Sequence, residues 1–289
     1  MSDLSRRSAL ILASTAALAS TAARAQAARI FSRTDDKGRK VTVSAFVRGK
    51  GPLVVLVPSL GRGASDFDDL AARISAAGFQ TAAVDPRGVG QSRGPTEDVT
   101  MFDLADDFGA VARALSDRPA VFIGHAHGNR IVRALASRRP ELVSRLILLA
   151  AGGQVKMAPD VQAALKAVFV ETLTPQQHLA AVKTAFFAPG NDPAVWRGGW
   201  YPDVAAGQSA AGAATPSGEW LDGGHTPILI VQAANDRVAA PANAEALRKA
   251  HPDRVTVVTI PNAGHAMLPE QPRLIADVVI RYLKSAGSR

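Results

Sequence analysis

The 289-residue sequence contains no cysteine, which excludes disulfide bonds and thiolate metal sites. It also lacks any run of five or more lysines and arginines, although its formal net charge is +8. Without such a run, or a stripe of basic and aromatic residues, the excess charge predicts a solvated basic surface and no nucleic acid partner. The apolar stretch of residues 9–22 is too short to span a bilayer comfortably, so we expect no stable membrane insertion.

The first 27 residues have the pattern of an export signal. Two arginines, Arg6 and Arg7, precede the apolar stretch of residues 9–22, and an alanine-rich segment follows it. This order of charged, apolar and small residues is typical of a signal peptide, and the arginine pair resembles a twin-arginine signal. We therefore expect residues 1–27 to be a signal peptide and the mature protein to be periplasmic or secreted. Ala9 replaces the usual bulky residue, so the general secretory route remains an alternative.

Strand and helix patterns alternate along most of the remaining chain. The continuous apolar run Leu53–Val57 indicates a strand that is buried on both faces, and Leu142–Leu149 is predicted to be another strand. The alternation breaks over residues 157–224 and then resumes. It predicts an α/β fold in which residues 28–156 and 225–289 form a mostly parallel sheet flanked by helices. The intervening residues are predicted to form a helical cap inserted after the sixth strand.

One core segment, Gly124-His125-Ala126-His127-Gly128, follows a short buried strand and precedes a helix. It resembles the Gly-x-Ser-x-Gly nucleophile elbow, a sharp strand-to-helix turn that presents one side chain above the sheet. Glycines are needed at both ends because side chains there would collide with neighbouring backbone. Ala126 occupies the nucleophile position, and its methyl group cannot attack a carbonyl carbon or hold a covalent intermediate.

Further segments lie at the carboxyl ends of strands, where open parallel sheets bind their ligands. Asp236 follows a late strand, His265 follows the last strand, and residues 85–92 match the pattern D-x-R-G-x-G-x-S. Together with the elbow, these segments are similar to those of the α/β-hydrolase fold superfamily, in its group of capped esterases, lipases and epoxide-hydrolase-like proteins. The resemblance implies an eight-stranded sheet, a small-molecule substrate or ligand, and Asp236 and His265 as the catalytic acid and histidine.

The same resemblance implies an oxyanion hole formed by the backbone N–H groups of Leu60 and His127. Leu60 lies in Pro58-Ser59-Leu60-Gly61, where the family usually has His-Gly. Further candidate pocket residues lie beside these turns or in the cap: Ser59, His125, Trp196 and Trp200. We interpret His125 as a packing residue. Two histidines spaced like His125 and His127, with no third ligand nearby in sequence, do not indicate a metal site, and no cofactor is expected.

Because Ala126 replaces the nucleophile, several interpretations of the function remain open. Loss of a serine nucleophile costs on the order of 10⁶ in turnover, which excludes serine-type catalysis through this position. His265 and Asp236 could still act as a base dyad on a small apolar ester-like or lactone-like carbonyl substrate, without a covalent nucleophile. Alternatively, the chain could be a catalytically silent periplasmic ligand-binding pseudohydrolase, or a cofactor-free lyase or oxygenase. Retention of both dyad residues favours a hydrolase.

Overall fold

The computed structural model describes residues 27–153 and 155–285, so nearly all of the expected signal peptide lies outside the described residues. Its centre is one eight-stranded sheet with the spatial order β1-β2-β4-β3-β5-β6-β7-β8. In chain order the strands are Arg29–Thr34 (β1), Lys40–Arg48 (β2), Leu53–Val57 (β3), Gln80–Val84 (β4), Ala120–His125 (β5), Val143–Leu149 (β6), Ile228–Ala233 (β7) and Val255–Ile260 (β8). Strand β2 pairs antiparallel with β1 and β4, and all other pairs are parallel. The predicted mostly parallel sheet is confirmed.

The helices are Asp68–Ala76 (α1), Met101–Leu115 (α2), His127–Arg138 (α3), Pro159–Ala167 (α4), Pro175–Phe186 (α5), Pro202–Ala213 (α6), Ala242–Ala250 (α7), Met267–Glu270 (α8) and Pro272–Lys284 (α9). Several of them cover the two faces of the sheet. Helices α2 and α3 pack on one face of the sheet, and α1 and α9 pack on the other. Within the described residues, no helix is both long and apolar enough to cross a membrane.

Strand β3 shows why its sequence is apolar at every position. All five of its residues are buried. Val55 and Val57 point into the cluster beneath α2 and α3, whereas Val54 and Leu56 point into the cluster beneath α1 and α9. Because successive side chains of a strand face opposite sides, a strand covered on both faces needs apolar residues throughout.

Helices α4, α5 and α6 lie between β6 and β7. A separate apolar cluster holds this segment together, and its members include Val182, Phe186 and Trp196. Its aromatic rings are in contact, with 5.8 Å between the centroids of Trp196 and Trp200. The alanine-rich stretch of this segment forms α6.

Candidate active site

The elbow joins β5 to α3 and places Ala126 in an unusual backbone conformation. Its φ is 50° and its ψ is -109°, outside the regions that alanine prefers. A Cβ atom on Gly124 would lie 2.5 Å from the nitrogen of Asn129, and one on Gly128 would lie 2.2 Å from the carbonyl oxygen of Val57. Both glycines are therefore required by close backbone contacts. The chain keeps the strained geometry of a nucleophile elbow around a methyl group, at a cost of roughly 1–3 kcal/mol.

Asp236 and His265 meet at the carboxyl ends of β7 and β8. The imidazole Nδ1 of His265 lies 2.9 Å and 3.0 Å from the two carboxylate oxygens of Asp236. Both residues are buried, with 4% of the surface of Asp236 and 3% of that of His265 exposed. The carboxylate also accepts hydrogen bonds from the N–H groups of Val238, at 2.9 Å, and Ala239, at 2.7 Å. Since a carboxylate only accepts, Nδ1 carries the proton and Nε2 has a free lone pair that can act as a base.

His125 lies behind this dyad rather than in it. Its Nε2–H donates to the carbonyl oxygen of His265 over 2.8 Å, because a carbonyl can only accept. The side chain is fully buried, and burial lowers its pKa to about 3, with the neighbouring His265 adding to the effect. His125 is therefore neutral at physiological pH and fixes the backbone of the loop that carries His265.

A cavity of about 440 Å³ lies above the elbow, between the sheet and the segment that contains α4 to α6. Its lining includes seven of the residues predicted from sequence: Ser59, Leu60, Ala126, His127, Trp196, Trp200 and His265. Asp236 and His125 do not line it, since they lie beneath His265. A wider surface depression of about 600 Å³, beside residues 218–227, contains none of the predicted site residues. The cavity over Ala126 is therefore the candidate active site.

Leu60 lies in a turn that is cross-linked to α6. The next residue, Gly61, donates its N–H to the side-chain oxygen of Gln208 over 2.9 Å and accepts from the N–H of Tyr201 over 2.9 Å. Gly61 has a φ of +58°, and a Cβ atom there would lie 2.6 Å from the ring of Phe169. These contacts fix the turn relative to the segment that contains α4 to α6. His127 is the first residue of α3, where the helix supplies no acceptor for its N–H, so this predicted oxyanion donor remains available to a ligand.

Arg62 connects the same turn to the tryptophans. Its guanidinium lies 4.5 Å and 4.6 Å from the ring centroids of Trp196 and Trp200, within the range of a cation–π interaction. It also donates to the carboxylate of Asp66, with 2.9 Å from Nε, and to the carbonyl oxygen of Gly198 over 2.8 Å. Sequence analysis missed Arg62, because Gly198 and the two tryptophans that it contacts lie more than a hundred residues away in the chain.

The D-x-R-G-x-G-x-S segment braces the site from outside the cavity. Arg87 forms a buried bidentate pair with Asp107, at 2.6 Å and 3.0 Å, and does not pair with Asp85. Asp85 instead accepts from the N–H of Ala64 over 2.8 Å, and burial raises the pKa of its carboxyl group. Arg87 therefore ties this segment to α2.

The described residues contain no group of three or more His, Asp or Glu side chains that could hold a metal ion. A lining residue that sequence analysis missed is Arg130, on the first turn of α3. It lies three residues after His127, a spacing that places both on one face of α3, and this is the signal that could have identified it.

Comparison with known proteins decides the family. The model of a family described as the alpha/beta hydrolase fold matches residues 52–272. The chain belongs to the α/β-hydrolase fold family. The family predicted from the elbow, the acid and the histidine is thereby confirmed.

Relatives of this α/β hydrolase include enzymes of known activity. The 2-(acetamidomethylene)succinate hydrolase of Mesorhizobium japonicum is 26% identical over 272 residues, which is 87% of this chain and 95% of the relative. A thermophilic esterase from Thermogutta terrifontis has a TM-score of 0.75 at 21% identity, covering 90% of this chain and 98% of the esterase. A meta-cleavage product hydrolase from Pseudomonas fluorescens, solved as a serine-to-alanine mutant, has a TM-score of 0.71 at 20% identity, covering 85% and 95%. The two structural likenesses show the fold alone.

Proposed function

We propose that this protein hydrolyses a small, largely apolar carbonyl compound of the ester or lactone type, with water as the nucleophile. The observation that carries the proposal is the contact between His265 and Asp236. The imidazole of His265 lines the same cavity as Ala126, Leu60 and His127. The hydrolase relative from Mesorhizobium japonicum supports the reaction class, and its substrate, 2-(acetamidomethylene)succinate, extends the candidate carbonyl groups to an N-acyl enamine.

In this mechanism Asp236 holds the Nδ1–H of His265, and Nε2 removes a proton from a water molecule above the methyl group of Ala126. The resulting hydroxide attacks the carbonyl carbon, and the N–H groups of Leu60 and His127 donate to the oxyanion that forms. When the bond from the carbonyl carbon to the leaving oxygen breaks, the imidazolium returns its proton to that oxygen. The products are a carboxylic acid and an alcohol.

The expected rate is modest. A positioned general base contributes about 10²–10⁴-fold, and an oxyanion donor about 10²–10³-fold. A serine nucleophile would add on the order of 10⁶ in turnover, and Ala126 cannot supply it. We therefore expect slow but saturable hydrolysis without a covalent intermediate.

Ala126 itself favours a second candidate, a ligand-binding pseudohydrolase. In that case the cavity binds a small molecule and the dyad is a structural remnant. The discriminating signature is thermal stabilisation of the protein by compounds that it does not turn over.

The test is product formation by purified protein on a panel of esters, lactones and enamides. The wild type and a His251→Ala control should be equally active, because His251 lies at the end of α7, where it contacts Asp222 and not the cavity. The variant His265→Ala should lose at least about 10²-fold in kcat/KM. Equal activity of the wild type and His265→Ala would refute the dyad, and stabilisation by compounds with no turnover would support the pseudohydrolase.

We also propose that the protein is exported to the periplasm or secreted. The arginine pair, the apolar stretch and the alanine-rich segment that follows support this proposal. Cell fractionation and N-terminal sequencing should find a mature chain beginning after Ala25 or Ala27. An intact N-terminus on cytoplasmic protein would contradict it.

A further inference from the structure

The lining of the cavity over Ala126 is asymmetric in charge. Of the described residues that line it, Arg130 alone has a permanently charged side chain, and no aspartate or glutamate lines it. The aromatic and aliphatic groups that also line the cavity, such as Phe186 and Trp200, carry no negative charge that could neutralise Arg130. A carboxylate that entered the cavity would therefore meet one positive charge and no competing negative charge.

Arg130 also differs from two other arginines near the site, Arg62 and Arg87, in having no carboxylate partner among the described residues. Arg133, three residues further along α3, lacks one too, but its guanidinium donates to the carbonyl oxygens of Asn129, Leu221 and Gly152. Among residues 27–153 and 155–285, no Asp or Glu oxygen lies within 4.0 Å of the guanidinium of Arg130, whereas Arg62 is paired with Asp66 and Arg87 with Asp107. The surface of Arg130 is exposed, and its guanidinium lies 6.0 Å from the ring centroid of Trp220. Desolvation nevertheless lowers the pKa of Arg130, as expected for a cation in a recess with no counter-ion.

A second polar group without a partner lies three residues earlier on α3. His127 lines the same cavity with only 9% of its surface exposed, and its Nε2 has no hydrogen-bond partner among the described residues. Burial lowers its pKa to about 3, and the charge of Arg130 adds to this effect, so the ring is neutral. Residues three apart on a helix share a face. A buried polar atom without a partner costs free energy that a ligand group can recover.

We propose that Arg130, assisted by His127, forms an anion subsite, and that the substrate is a carbonyl compound with a carboxylate a few bonds from the reacting group. This inference rests on the proposed function. The guanidinium presents parallel N–H donors whose spacing matches the two oxygens of a carboxylate. Because Arg130 lies one helical turn beyond Ala126, a carboxylate held there would place a nearby carbonyl group over the elbow. The substrate class is then the half-ester, or the N-acyl derivative, of a small carboxylic acid.

The test compares matched probes that differ only in charge, 3-phenylpropanoate and 3-phenylpropanamide, in equilibrium binding by calorimetry. The wild type should bind the acid about tenfold to a hundredfold more tightly than the amide, as expected for hydrogen bonds to a charged group. Arg130→Gln should abolish this preference, and Arg130→Lys should retain part of it. Arg118→Gln is the matched control, because Arg118 is exposed just before β5, at the opposite end of that strand from Ala126.

Equal binding of the two probes by the wild type would overturn the subsite, as would an undiminished preference in Arg130→Gln. If neither probe binds the wild type at millimolar concentration, the proposed subsite is also wrong. Melting temperatures of all variants monitor folding, and if Arg130→Gln does not fold, the wild type and Arg130→Lys still decide the question.

Turnover of monoethyl succinate and diethyl succinate separates this inference from the proposed function. Preference for the acid probe without hydrolysis of either ester keeps the subsite and removes the hydrolase. Hydrolysis of the neutral diester with no preference for the acid probe keeps the hydrolase and removes the subsite.

Discussion

Replacing Ala126 by serine would add a hydroxyl group to a site where, in our proposal, His265 and Asp236 supply the other parts of a hydrolase triad. The backbone at this position already has the elbow conformation, with φ of 50° and ψ of -109°. The acid and the histidine are already in contact at 2.9 Å. The substitution adds one oxygen atom at the edge of a cavity, so no repacking of the core is required.

The magnitude follows from what the introduced hydroxyl would recover. Complete recovery would be on the order of 10⁶ in turnover, or about 8 kcal/mol of transition-state stabilisation. A misplacement of the introduced hydroxyl by about 1 Å can cost about 10²-fold. We therefore expect Ala126→Ser to raise kcat/KM for an activated aryl ester by at least about 10²-fold and at most about 10⁴-fold.

The assay pairs steady-state hydrolysis of p-nitrophenyl acetate with covalent labelling by a fluorophosphonate, detected by mass spectrometry. Ala126→Ser should gain both activity and label, the wild type should not be labelled, and the double variant Ala126→Ser/His265→Gln should lose the gain. A folded Ala126→Ser protein that is neither labelled nor faster would refute the reasoning. It would mean that His265 does not face residue 126, or that Leu60 and His127 do not form an oxyanion hole.

Three further predictions concern stability and are measured by urea unfolding. Ala126→Gly should leave stability unchanged or raise it by about 1 kcal/mol, because glycine tolerates the positive φ at this position. The control Ala136→Gly, in the interior of α3, should cost about 1–2 kcal/mol. Equal losses in the two variants would contradict backbone strain at residue 126. Arg62→Met should cost about 3–5 kcal/mol, because it leaves the carboxylate of Asp66 buried and unpaired, and adding Asp66→Asn should recover part of the loss. Burial lowers the pKa of His125 to about 3 in the folded protein, from 6.5 for a free histidine. Between these two pH values only the unfolded chain binds the proton, so the stability of the fold decreases as the pH drops below 6.5. His125 should contribute a loss of about 2 kcal/mol by pH 5, and His125→Asn should show a correspondingly shallower decline; identical slopes would contradict this.

The fold could be predicted because its signals are local. The all-apolar run of β3 reports burial on both faces, and Gly124 and Gly128 report close backbone contacts at the elbow. Asp236 and His265 could be paired from sequence because parallel strands end at a common edge, so residues that follow neighbouring strands converge there.

What the sequence could not provide was the set of contacts across the cavity. The hydrogen bond from Gly61 to Gln208 joins residues 147 positions apart, and neither residue type signals it. The surroundings of Arg130, which include no carboxylate among the described residues, are likewise set by several separate segments and are visible only once these are packed together. The partner of Arg87 is also distant in sequence, since Arg87 pairs with Asp107 on α2 and not with the neighbouring Asp85.

The central claim is that His265 and Asp236 act as one unit on a water molecule. Its most direct test is a double-mutant cycle on kcat/KM with His265→Gln, Asp236→Asn and the double variant, using one substrate of the wild type. If the carboxylate acts only through the imidazole, the double variant should lose no more than His265→Gln alone, about 10²–10⁴-fold. Losses that multiply, or a fully active His265→Gln enzyme, would contradict the dyad.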